Sequence, residues 1–97
     1  MKKNKKIELQ SEKRCFVCGS ENVELHHIFT GQTYRKLCEE DGLVVYLCPM
    51  HHRISNNSAH MSKEFRLELQ QMGQRAYMEH HSLEDWMGRY KVNYLAK

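Results

Sequence analysis

The stretch LCPMHH, residues 47–52, decides how this chain is read. It closes the run LVVYLC (43–48), which is short, β-branched and apolar and therefore reads as a strand. Pro49 then starts a helix, because proline's missing N–H costs little in a first helical turn. Cys48 thus stands at a strand end, with His51 one turn into the following helix. Upstream, CFVC (15–18) supplies a C-x-x-C turn, and 29 residues separate it from the C-x-x-H of Cys48 and His51. Thiolate and imidazole are among the best donors for tetrahedral Zn²⁺. Cys15, Cys18, Cys48 and His51 are therefore the expected ligands of a structural zinc that clamps the start of a hairpin to a helix. His52 is the competing fourth ligand; His51 is preferred because C-x-x-H repeats the spacing of C-x-x-C.

Ninety-seven residues make one domain with a tail, and so short a chain benefits from a metal staple. Four cysteines in this mixed arrangement read as metal binding in a reducing compartment rather than as disulfides, with Cys38 a free thiol buried on a helix. The expected location is the cytoplasm of the cell, or of a host. No apolar run approaches the length of a membrane span, and no apolar segment of a secretory signal follows MKKNKKIELQ. The formal net charge is +3, but residues 1–14 hold six lysines and arginines against two acids, a net of +4, which leaves −1 for the rest. Residues 1–12 are read as a flexible basic arm whose Lys2, Lys3, Lys5 and Lys6 can contact phosphates.

Between the zinc motifs, NVELHHIF (22–29) is expected as a strand with Val23, Leu25, His27 and Phe29 on one side, and YRKLCEEDG (34–42) as a short helix stopped by Gly42. Residues 13–60 form the zinc module. Ser62 caps a helix over 63–79 with Phe65, Leu69, Met72 and Ala76 on its apolar face. Ser82 and Asp85 suggest a capping box for a last helix carrying Leu83, Trp86, Met87 and Tyr90. Residues 61–97 are therefore a helical extension packed on the module, and the fold class is α+β.

Once His51 is given to zinc, His26, His27 and His52 remain. Neighbours on a strand point in different directions. That suits a metal ligand beside a general base better than two ligands of one ion. Asn56 is the i+4 partner of His52 on a helix, so His26, His52 and Asn56 can surround one hard divalent ion. His60 is an extra candidate ligand. Arg53 is a candidate for a flanking phosphate.

CFVC, ELHHIF and LVVYLCPMHHRISNN together resemble the HNH nucleases, the ββα-metal or treble-clef endonucleases, over residues 15 to about 60, and the whole chain is similar to small HNH-type proteins of phages and prophages. The resemblance implies a zinc-stapled treble clef followed by two helices. It also implies a metal-dependent endonuclease that hydrolyses DNA phosphodiester bonds, with His26 and His52 (Asn56 or Asn57 beside it) on a catalytic Mg²⁺, Mn²⁺ or Ni²⁺ and His27 as general base. Where the family carries an asparagine that braces the base, this chain has Gly42 or Leu43, so something else must orient His27, such as a backbone carbonyl. The rival reading is a non-catalytic zinc module that binds nucleic acid or a protein partner, for instance within a phage complex.

Overall fold

The computed structural model describes residues 6–97; Lys2, Lys3 and Lys5 of the expected arm lie outside them. A two-stranded antiparallel hairpin, β1 (Glu24–His27) and β2 (Val44–Leu47), is interrupted by a helix, α1 (Gln32–Asp41). A single wide π-type turn (Met50–Ile54) follows Pro49, then α2 (Lys63–Tyr77), α3 (Leu83–Tyr90) and a final 3₁₀ turn (Tyr94–Ala96). This is a small α+β fold. No helix among the described residues is long and apolar enough to cross a membrane.

The strand register pairs Glu24 with Leu47 and His26 with Val45. Val45 and Leu47 are buried, so Glu24 and His26 share the inward face. The alternation expected from sequence is thus displaced: Leu25 is 41% exposed, while His26 is 4% exposed. The reason lies at the strand end, where Ile28 and Phe29 are both buried. Two successive residues cannot both point inward from a regular strand, so β1 stops at His27 and the chain turns.

Phe29 is the hub of the core. Its ring lies 5.4 Å from Trp86, 5.0 Å from Tyr90 and 5.2 Å from Tyr94, centroid to centroid. Aromatic pairs at such spacings add about 0.5–1.5 kcal/mol each beyond their buried area. The Trp86 indole donates to the Val92 carbonyl, and buried Gln74 accepts from the Tyr94 amide while donating to Asn93. These bonds seal the C-terminal segment against α2. Asp41 receives Arg89 at 2.7 Å and the Tyr90 hydroxyl at 2.6 Å, tying the end of α1 to α3.

The apolar face of α2 is rotated from the expected one. Leu69, Gly73, Gln74 and Tyr77 are buried, whereas Phe65, Met72 and Ala76 are only partly covered. Both capping expectations hold: Ser62 caps α2, and Ser82 with Asp85 forms a reciprocal capping box on α3.

Residues 7–10, read from sequence as part of a flexible arm, run against the module. The Ile7 amide donates to Asp41, and the Gln10 side chain accepts from the Tyr46 amide on the free edge of β2. Gly42 ends α1 at φ 84°, and a Cβ there would collide with the Ile7 carbonyl oxygen. The glycine therefore serves both the helix stop and the passage of this strap.

Candidate metal centres

The first centre is built from the CFVC turn and the β2–Pro49 junction. The ligand atoms of Cys15, Cys18, Cys48 and His51 all lie within 4.8 Å of one another. Cys18 Sγ and Cys48 Sγ are 3.8 Å apart, and His51 Nδ1 is 3.7 Å from Cys15 Sγ and 3.2 Å from Cys48 Sγ. Tetrahedral zinc with its usual bond lengths requires S···S of about 3.8 Å and S···N of about 3.6 Å; the Cys18–Cys48 and Cys15–His51 pairs match, and the Cys48–His51 pair is somewhat closer. The donor set and its spacing are thus compatible with zinc. His51 takes the fourth place, and His52 points elsewhere. Cys38, buried in α1 and apart from this group, donates to the Phe29 carbonyl, and burial pushes its thiol up to about 11.

The thiols also respond to their crowding. Burial disfavours the Cys15 thiolate, but the amides of Cys48, Cys18 and Val17 converge on the sulfur and outweigh that cost, bringing the thiol down to about 6. At Cys18 the Ser20 amide favours the thiolate, while burial and the neighbouring sulfurs of Cys15 and Cys48 oppose it, and the net shift is upward. Sulfurs at this spacing ionise together only when a cation lies among them.

The wide turn after Pro49 separates the duties of adjacent histidines. The Ser55 amide reaches back five residues to Met50, and the amides of Ala59 and His60 reach back to the carbonyls of His51 and His52. The chain therefore doubles back, and His60 arrives beside His52 with the two Nε2 atoms 3.1 Å apart. Arg66, from α2, holds this loop by donating to the carbonyls of Ala59 and His60. His26, on β1, completes the group: its ring centroid is 5.2 Å from His52 and 5.7 Å from His60. Ligand atoms of the three histidines lie within 4.8 Å of one another.

These imidazoles form one wall of an open cleft of about 270 Å³, lined also by His27, Thr30, Gly31 and Arg35. His26 is buried, His52 half-buried and His60 exposed, so the group runs from floor to rim and leaves room for a ligand on the solvent side. Burial, reinforced by the charges of His52, His60 and His27, lowers His26 to about 4. His60 is lowered as well, again first by burial. Both rings are neutral near pH 7, the state in which imidazole ligates a metal.

Glu24 was invisible as a site residue in the sequence. Its carboxylate accepts from His52 Nδ1 at 2.7 Å and is clasped by Arg53 through two bonds of 3.1 and 3.0 Å. Arg53 first, and His52 second, hold this carboxyl down to about 2. A histidine that donates Nδ1–H to a carboxylate presents its Nε2 lone pair, the usual arrangement behind a metal-bound imidazole. The arginine expected at a flanking phosphate is thus engaged in aiming His52.

Asn56, expected as the third ligand, is not brought to the cleft. The helix that would have carried it ends at Ile54, and Asn56 lies exposed in the following turn. His60 occupies the corresponding place. His27 lines the cleft, and its Nε2 lies 2.9 Å from Glu39 Oε2 on α1. The partner that the sequence left open is therefore a carboxylate rather than a backbone carbonyl. Lys6 is exposed and lines a second groove with Leu25, Glu39 and Tyr46.

No protein-family model, curated protein or solved structure matches the chain.

Proposed function

We propose that the chain is a metal-dependent endonuclease that hydrolyses DNA phosphodiester bonds, built on a zinc-stapled treble clef of the HNH kind. One observation carries this reading: three imidazoles converge on an open cleft that also contains a fourth histidine, His27, which is not among the converging ligands. A group of ligands with a separate proton acceptor at its edge is the minimum equipment for metal-assisted hydrolysis.

The ligand set selects the ion. Three nitrogen donors suit Ni²⁺ or Zn²⁺ better than Mg²⁺ or Mn²⁺, which favour oxygen. This differs from the hard-ion site expected when Asn56 was counted. When bound, the ion supplies charge neutralisation on the leaving and nonbridging oxygens of the phosphodiester. His26 fixes the floor of the site from the hairpin. His52, aimed by Glu24, and His60, returned by the loop, close it from the side. His27 takes the proton from the attacking water, whose oxygen forms the new bond to phosphorus in line with the departing 3′-oxygen. Lys6, together with the basic residues before it, adds contacts to the DNA backbone that carry no sequence information.

Nicking of supercoiled plasmid by the zinc-loaded protein, with Mn²⁺, Ni²⁺ or Mg²⁺ added, tests the reading. Native protein is expected to nick, best with Ni²⁺, and His27→Ala to be slower by about 10²–10⁴-fold. Absence of cleavage with every ion, in protein that retains zinc and binds DNA, would identify a non-catalytic zinc module instead.

A further inference from the structure

Helix α1 interrupts the hairpin, and neither metal centre draws a ligand from it. It nevertheless presents two charged side chains to the site. Arg35 lines the histidine cleft. Glu39 is four residues further along, hence on the same helical face, and meets His27. Arg35 enters no ion pair among the described residues, in contrast to Arg53 and Arg89, which are both held by carboxylates. Glu39 lines the neighbouring groove and not the cleft. Its carboxylate therefore meets His27 without itself lining the space a phosphate would fill.

We propose that α1 completes the site, with Arg35 seating a phosphodiester in the cleft and Glu39 holding the ring of His27. The proposal rests on the hydrolytic reading of the cleft and names how its substrate is held. Arg35 supplies a planar fork of donors matched to phosphate oxygens. Glu39 accepts from His27 Nε2–H, which fixes the tautomer in which Nδ1 carries the lone pair. Glu39 is thus a positioning residue, standing where the HNH-like motif lacks its asparagine.

Two readouts that need no turnover test this. In protein with ¹⁵N-labelled histidine, His27 is expected as the Nε2–H tautomer. Glu39→Ala yields a mixture, and Glu39→Gln, whose amide oxygen can still accept, restores the native pattern. For Arg35 the probe is dimethyl phosphate, titrated into the zinc- and Mn²⁺-loaded protein and followed by calorimetry or competition. Arg35→Gln weakens binding about tenfold or more, the usual worth of a charge-assisted bond, while Lys36→Gln, at the neighbouring exposed cation, leaves it unchanged. An unaltered tautomer in Glu39→Ala, or equal phosphate affinity in Arg35→Gln, overturns the proposal. Protein that passes both tests but never cleaves DNA removes the nuclease reading and leaves the assignment of α1 standing. Cleavage with both variants behaving as native removes the assignment alone.

Discussion

Chelation of the first metal should unfold the half of the molecule that carries the second. The Cys15–Ser20 turn is held to β2 by one backbone bond, Phe16 N–H to the Tyr46 carbonyl. Its apolar residues contribute little, since Phe16 is 40% and Val17 50% exposed. The turn bearing His51 and His52 is no better buried, with Met50 at 50% and Ile54 at 53%. A two-stranded hairpin is marginal in water without further support. A zinc site of this donor type is worth about 10–16 kcal/mol in apparent binding free energy at neutral pH. A domain of this size has only about 5–15 kcal/mol of stability in total. Even a loss of about 5 kcal/mol corresponds to a fall in Tm of about 20 °C or more for a chain of this length. Scanning calorimetry of zinc-loaded and chelated protein, paired with hydrogen exchange, reads the effect directly. The amides of Phe16 and His52 should lose protection first, while Trp86, in the aromatic core, exchanges later. A chelated protein within about 5 °C of the loaded Tm, with the Phe16 amide still protected, would refute the reasoning that the metal holds this half together.

The remaining expectations are local. His60→Ala should weaken binding of the second ion by at least about tenfold, measured by Mn²⁺ or Ni²⁺ titration of zinc-loaded protein, whereas Asn56→Ala should leave it unchanged. Cys38 should resist thiol reagents in the native state after the other three cysteines have been exposed by chelation. Because burial raises its folded value from 9.0 to about 11, its contribution is intact below pH 9 and is lost as pH rises toward 11; Cys38→Ala should flatten that alkaline limb in denaturant melts. Gly73→Ala should stabilise the protein by up to about 1 kcal/mol, since an added Cβ would meet Phe29, Ile28 and Leu43 at 3.5–3.6 Å, an ordinary contact distance.

Much of this arrangement is written in local signals. The two C-x-x motifs, Ser62, the Ser82–Asp85 box and Gly42 act within a turn or two of themselves, so spacing alone reveals them. The phase of β1 has no local signal: Leu25 is the more apolar residue, yet the register with Val45 turns His26 inward. The wide turn after Pro49 was equally hidden. An i+4 rule points from His52 to Asn56, but the backbone bonds from Ala59 and His60 close a loop of eight residues that has no periodic signature. His60 was visible only as a spare histidine. Glu24 and Glu39 gave no signal, since each gains its role from a partner 28 and 12 residues away respectively. Arg53 looked like a free cation for the same reason.

Diffraction from zinc-loaded crystals soaked in Mn²⁺ or Ni²⁺, with anomalous data at both metal edges, addresses the pair of centres most directly. Two peaks are expected: zinc among Cys15, Cys18, Cys48 and His51, and the second ion on the cleft side of His26, His52 and His60. A single peak, with the rings of residues 26, 52 and 60 turned apart, would contradict it.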